Sequence, residues 1–358
     1  MAKQIEIPRC IKNFRAFASA ILCHTNPSSF QDQPIRAVNY VKQDSIGVAS
    51  LICPWNLPLY LLSFKLAPAL ACGNTVVCKP SEMTSATAFA LMHAFVEAGF
   101  PPGVVNMVLG TGERVGEPMC KHPLVNLISF TGSTLIGRRI AALAAPAHKK
   151  LSLELGGKNA AVVFGDVDFD EVMPGLIRSC FANQGLMLEI LMSPIPPWAA
   201  LISRQHFEKV TGYIDYARQQ GCTIHCGGAA QLAGRLEKGY FVRPTVISKV
   251  SNDSRLVREE IFGPVVVVIP FETADEVVQL VNSVDYGLSA SVWSKQVDNI
   301  NSVANRLRVG TVWCNCWLVR DLNMPFGGTK QSGTGREGIQ DSLHFFTEQK
   351  TICIKLPN

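Results

Sequence analysis

From Ile46 to Val163, short apolar runs rich in β-branched residues alternate with segments whose apolar positions recur at helical spacing. That is the pattern of β-α-β units closing a mostly parallel sheet. The strand-like runs are Ile46–Cys53, Thr75–Cys78, Val104–Leu109, Leu127–Phe130, Leu151–Leu155 and Ala160–Phe164. Between them, Leu57–Ala71, Ala86–Ala98, Arg114–Lys121 and Leu135–Ala144 read as helices. The pattern predicts an α/β fold whose first domain, 1–155, is a Rossmann-type parallel-sheet nucleotide domain. Ligand is then expected beyond the carboxyl ends of the strands.

A second alternating block, 156–330, reads as another α/β domain. Its helices are Arg204–Gln219, Ala274–Val281 and Val297–Leu307, and its strands Tyr240–Val250, Val265–Pro270, Ser289–Trp293 and Gly310–Cys314. Two further stretches, 37–43 and 350–355, look like edge strands outside either block. The interval 186–199 breaks the rhythm, because Pro194, Pro196 and Pro197 argue against a continuous helix or a central strand there.

Composition narrows the class. The chain of 358 residues is 47% hydrophobic and only 17% charged, enough to bury two sizeable cores. The first nine residues lack the continuous apolar stretch of a signal peptide. The stretch Ala49–Phe64 lies in the longest uncharged run, Ser45–Phe64, but Pro54, Asn56 and Pro58 interrupt it, so it does not read as a bilayer span. No membrane partner and a cytoplasmic location are therefore expected. The net charge of +5 is modest and its cations are dispersed, which speaks against nucleic acid while leaving room for an anionic cofactor or an acidic substrate. Twelve cysteines without paired spacing read as reduced thiols. The tight pair Cys314-Asn315-Cys316 lacks a second pair to complete a zinc site, so no metal is expected.

Several positions carry candidate chemistry. Gly132-Ser133 follows a strand and opens a helix, so free N–H groups and the helix dipole suit a pyrophosphate; an ordinary cap is the alternative. Lys79 follows a strand, and Pro80 keeps the chain extended so that Lys79 and Glu82 can face one ligand. Asn56 stands between a strand and Leu57-Pro58, where its amide can stabilise a developing oxyanion or cap the helix, roles that can coexist. Glu154 ends an apolar run before Gly156-Gly157, where partial desolvation would raise its pKa toward general-base use. Gly110, Gly112 and Gly116 do not match the dinucleotide fingerprint and read as turn and packing glycines.

Six ordered motifs carry a specific resemblance. They are Pro54-Trp55-Asn56, Lys79-Pro80-Ser81-Glu82, Phe130-Thr131-Gly132-Ser133, Leu153-Glu154-Leu155-Gly156-Gly157-Lys158-Asn159, Glu259-Glu260-Ile261-Phe262-Gly263-Pro264 and Pro325-Phe326-Gly327-Gly328. Together they resemble the aldehyde dehydrogenase superfamily. The resemblance implies NAD as cofactor, with Lys79 and Glu82 at the adenosine ribose, where a carboxylate favours a 2′-hydroxyl over a 2′-phosphate. It further implies Gly132, Ser133 and Leu155 as cofactor contacts, Glu260 at the nicotinamide ribose, and Phe262 flanking the nicotinamide. Asn56 becomes the oxyanion donor and Glu154 the base that activates the hydrolytic water. The stretches around Arg9 and around Arg320 are similar to the branch that oxidises 2-aminomuconic semialdehyde, in which two arginines grip a substrate carboxylate. The substrate implied is an acidic semialdehyde, oxidised to its carboxylate. The edge strands 37–43 and 350–355 correspond to the family's oligomerisation sheet and imply a homo-oligomer, or association with a full-length subunit.

One element of the family pattern is missing. A nucleophile signature F-x-N-x-G-Q-x-C begins at Phe181-Ala182-Asn183-Gln184-Gly185 and is followed by Leu186-Met187-Leu188, with leucine at the cysteine position. Only 186–199 fills an interval that holds strands and helices in the family, and the N-terminus is shorter than the family's. The chain is therefore expected to retain ligand contacts while lacking the attacking thiolate. The alternative to an oxidising enzyme is an NAD-binding pseudoenzyme or a non-catalytic subunit that modulates a full-length partner.

Overall fold

The computed structural model describes residues 2–181, 200–230 and 236–357. The expected nucleophile position Leu188 and the proline cluster lie outside the described residues. The chain divides into two compact units. The first comprises 1–155, 321–326 and 334–358, and the second 156–320 and 327–333. A continuous second domain over 156–330 is thus too simple, since 321–326 return to the first unit.

In the first unit five strands pair in parallel in the order Lys150–Glu154, Val125–Thr131, Val48–Ile52, Thr75–Lys79, Val105–Met107. Period-two alternation gives the sheet two buried faces. Ala49, Leu51, Cys53, Val76, Cys78 and Leu127 pack on one face with Leu62, Leu66 and Phe95. Ile52, Ile128, Phe130 and Leu153 pack on the other with Met119 and Ile140. The helix Pro58–Ala71 is apolar nearly all round and sits in the first of these cores, as such a helix must. Asn74 ties its far end to the sheet. The Asn74 side-chain oxygen accepts from the N–H groups of Ile46 and Gly47, and its NH₂ donates to the carbonyls of Ala69 and Phe346. A separate antiparallel sheet joins Ser28–Gln31, Ala37–Ser45 and Thr347–Lys355, with both expected edge strands longer than the sequence indicates.

The second unit holds two three-stranded sheets. Val242–Ser248 lies between Val265–Val267, parallel to it, and Thr223–Ala229, antiparallel. Ser289–Trp293 lies between Thr311–Cys314 and Ala160–Val163, parallel to both. The helices Arg204–Gln219 and Ala274–Asn282 open on Ser203 and Thr273, whose hydroxyls accept from the N–H of the third residue on, the usual first-turn cap.

Local chemistry corrects some expectations. The single helix foreseen over Arg114–Lys121 is a wide turn over Gly112–Gly116 followed by a short helix Glu117–Lys121, with Pro118 near its start. The helices Ile7–Leu22 and Phe169–Phe181 escape the strand-and-helix pattern, each having a proline within the segment. Asn56 is not the cap of the following helix. Leu57 holds that position without a side-chain bond, and the N–H of Leu59 donates instead to the buried Glu6 carboxylate at 2.9 Å.

Candidate functional site

The carboxyl ends of the first unit's parallel strands gather most of its candidate residues. Thr75–Lys79 delivers Lys79, which is almost fully buried. Its ammonium donates to the Pro80 carbonyl at 3.2 Å and pairs with the half-exposed Glu82 carboxylate at 3.6 Å. A buried lysine at a strand end thus holds a carboxylate at the surface. Two strands along, Val125–Thr131 runs into Gly132-Ser133. The N–H of Gly132 donates to the Glu154 carbonyl at 3.0 Å, and a β-carbon on Gly132 would lie 2.4 Å from the Phe130 ring. The Ser133 hydroxyl accepts from the Ile136 N–H and caps the helix Thr134–Ala144. One turn in, Gly137 is buried beneath Leu155, whose methyl groups stand 2.4 and 2.7 Å from where a β-carbon would be. Glycine here lets the first turn pack directly against the residue after Glu154.

Glu154 is the last residue of its strand, half-buried, and its carboxylate accepts from the Thr131 hydroxyl at 3.4 Å. Below it lies a residue that motif reading passes over. Lys65 is 2% exposed; its ammonium pairs with Glu337 at 2.8 Å and donates to the Ser129 hydroxyl at 3.0 Å. Desolvation pulls this ammonium down, but Glu337, Cys53 and Glu154 together hold it above its ordinary value. The signal was available in the sequence, since Lys65 is the single charge in the apolar helix Pro58–Ala71. On that helix's first turn, Tyr60 carries the Arg9 guanidinium 5.2 Å from its ring centroid, so Arg9 lies at the end of the helix that follows Asn56.

Glu260, Phe262 and Arg320 belong to the second unit, apart from Lys79, Glu82, Ser133, Glu154 and Arg9 in the first. The Glu260 carboxylate accepts from the Gly157 N–H at 3.0 Å, and its carbonyl accepts from the Lys209 ammonium at 3.0 Å. Burial raises its pKa, against the pull of the Gly157 bond, Lys209 and Lys158. Phe262 has φ +60°, a left-handed conformation unusual for an aromatic residue, and its carbonyl accepts from His206 Nε2 at 2.7 Å. That contact places the proton of a neutral His206 on Nε2. Burial chiefly, and Lys209 in addition, keep the ring neutral against the pull of the Phe262 bond. Arg320 follows a tight loop in which Leu318 has φ +58° and the Trp313 indole donates to the Val319 carbonyl at 2.9 Å.

Lys158, the residue after Gly157, has a pKa lowered from 10.5 to about 8 by burial, with Glu260 and Glu259 opposing and Lys209 reinforcing. The folded chain releases this proton before the unfolded chain does, so stability should rise with pH between about 8 and 10.5. Lys158→Met is expected to flatten that rise in urea midpoints measured across the window. An unchanged slope would show that other groups set it.

The model of the aldehyde dehydrogenase family matches residues 1–187 and 192–352, nearly the whole chain. The chain belongs to the aldehyde dehydrogenase family. Its match is interrupted at 188–191, where the nucleophile is expected. A 2-aminomuconic semialdehyde dehydrogenase from Danio rerio is 50% identical, covering 99% of this chain and 79% of the relative. The Homo sapiens protein of the same name is 48% identical with the same coverage. The Danio alignment runs over 386 positions against the chain's 358 residues, so the relative carries positions within the matched region that this chain lacks. Among solved structures, an aldehyde dehydrogenase from Bacillus cereus in complex with NAD+ superposes with a TM-score of 0.93 at 34% identity, covering 99% of this chain and 77% of the other. An NAD-dependent aldehyde dehydrogenase from Sinorhizobium meliloti gives 0.91 at 31% identity, covering 99% and 75%. Among the described residues no helix is long and apolar enough to cross a membrane.

Proposed function

We propose that this family member binds NAD at the carboxyl ends of the first unit's parallel strands and derives from an enzyme that oxidises an acidic semialdehyde to its carboxylate. The observation that carries the cofactor is the cradle itself. A strand leads through Gly132 to the capped helix start at Ser133, Gly137 lies flush beneath Leu155, and the Lys79–Glu82 pair stands two strands away. Helix N–H groups hold the pyrophosphate, and Glu82 accepts from the ribose hydroxyls. Glu260 and Phe262 serve the nicotinamide end. When bound, NAD supplies the acceptor for the hydride released by the aldehyde carbon.

The remaining roles fall to this chain's own side chains. In the full reaction Asn56 would present an amide to a carbonyl oxygen that gains charge, and Glu154 would take a proton from water, steps that both depend on a prior thiolate attack. Arg9 and Arg320 offer guanidinium forks to a substrate carboxylate. The 2-aminomuconic semialdehyde dehydrogenases at 48% and 50% identity support that substrate class. Leu188 cannot supply the thiolate, so the chain as it stands binds without turning over. The sheet of Ser28–Gln31, Ala37–Ser45 and Thr347–Lys355 has a long, largely exposed edge at Thr347–Lys355 suited to joining copies of this chain or a full-length subunit, which is the reading of the chain as a modulating partner.

Isothermal calorimetry tests the cofactor reading. Saturable binding of NAD and weaker binding of NADP are expected. Glu82→Gln should weaken NAD several-fold and narrow the gap to NADP, because the repulsion of a 2′-phosphate is removed. Equal affinity of the native chain for both dinucleotides would overturn the assignment of Glu82, and no heat with either would overturn the cofactor site.

A further inference from the structure

Cys314 and Cys316 take no part in the contacts described so far. Cys314 ends the strand Thr311–Cys314, which pairs in parallel with Ser289–Trp293. Both thiols are free, Cys314 exposed and Cys316 half-exposed. Between them Asn315 has φ +52°, a left-handed conformation that asparagine tolerates better than most residues. Three hydrogen bonds fix it there. Its N–H donates to the Val292 carbonyl at 2.9 Å, its side-chain NH₂ donates to the Ser294 carbonyl at 2.9 Å, and its side-chain oxygen accepts from the Ser294 N–H at 3.0 Å.

This turn changes what the two sulfurs can do. In an extended strand, α-carbons two residues apart stand about 6.6 Å from each other, near the upper limit for a disulfide. A helical-type central residue of either hand shortens that span to about 5.4 Å, close to the preferred separation. The sulfurs sense one another: burial raises both thiols, Cys316 raises Cys314 further, and the Cys314 backbone partly offsets the rise at Cys316. Both rest protonated, so oxidation starts from the small thiolate fraction of the exposed Cys314 and is slow at neutral pH, quickening as pH rises; what favours the link is the geometry of the turn.

We propose that Cys314-Asn315-Cys316 is an oxidisable dithiol that a hydroperoxide converts reversibly to an intrachain disulfide. The exposed Cys314 sulfur, on losing its proton, attacks the peroxide O–O bond and becomes a sulfenic acid, while the distal oxygen leaves as water or alcohol. Cys316 then attacks the Cys314 sulfur, the S–S bond forms, and the sulfenic oxygen departs as water with the Cys316 proton. The two sulfurs together lose two electrons and the peroxide gains them. The closed ring lies at the root of the segment that ends in Arg320, so its formation would stiffen the approach to that arginine.

The test is peroxide treatment of the full chain, alkylation of the remaining thiols, and peptide mapping. A peptide carrying a Cys314–Cys316 link, two hydrogens lighter and restored by dithiothreitol, is expected. Asn315→Val, which keeps both sulfurs but disfavours the left-handed turn, should lower the yield of link at least tenfold, while Asn315→Gly should retain it. Phenylarsine oxide, which bridges two close thiols, should protect both cysteines from alkylation in the native chain and neither Cys314→Ser nor Cys316→Ser should retain that protection. Sulfinic acid on Cys314 with Cys316 still alkylated, or Cys314 linked to the exposed Cys23, Cys226 or Cys353, would overturn the proposal.

Discussion

Purified protein mixed with NAD and 2-aminomuconic semialdehyde is expected to produce NADH no faster than the mixture without protein. Covalent catalysis in this chemistry begins with a thiolate, and leucine at position 188 offers none. Deleting the nucleophile of a well-developed covalent enzyme costs on the order of 10⁶ in rate, which puts residual turnover below ordinary detection. Cys180 is no substitute. It lies on the helix Phe169–Phe181, and burial raises its thiol further from the thiolate form, its hydrogen bond with Ser179 offsetting this only in part. A thiol-dependent rise in absorbance of NADH by this polypeptide would sink the prediction. Mass spectrometry of the natural protein bears on the same point: a peptide joining Gly185 directly to Leu186 would show that the chain is made in this form.

A second large effect is expected at the buried Lys65–Glu337 pair. Glu337→Leu should lower the free energy of unfolding by about 3–5 kcal/mol, because the ammonium left behind is 2% exposed and keeps the Ser129 hydroxyl as hydrogen-bond partner with Glu154 as a charge without a direct ion pair to it. Lys65→Met combined with Glu337→Leu should recover much of that loss, since two apolar groups of similar size bury without a charge. Urea unfolding of the single and double variants decides it. A double variant as unstable as Glu337→Leu alone would mean that the cost lies in packing. The ammonium of Lys65 is held above its ordinary value, so the pair's contribution is present at neutral pH and is lost only as alkaline pH passes that value.

The parallel sheet was legible because its strands are apolar on both faces and its helices carry unbroken helical spacing, with Arg204–Gln219 and Ser289–Trp293 foreseen to the residue. What could not be read depends on contacts distant along the chain. Lys65 is a lone charge whose partner stands 272 residues away, and no local pattern pairs it with Glu337. The left-handed backbone of Phe262 follows from packing around His206, because propensity alone would place an aromatic residue in extended structure. Glu6 takes the helix-start role that the sequence offers to Asn56, since a carboxylate fifty-three positions away leaves no local signature. The return of 321–326 to the first unit is hidden for the same reason.

The Asn74 amide spans the same distance, reaching Phe346, and Thr347–Lys355 completes a ladder begun at Ala37–Ser45. A chain emerging from the ribosome amino end first therefore holds the first unit's sheet with these partners still unsynthesised. Its early-made half must wait, with Asn74 and the inner strand edge open, until Phe346 and Thr347–Lys355 have been made. Chaperone demand during synthesis, rather than stability once complete, is where this architecture is most exposed.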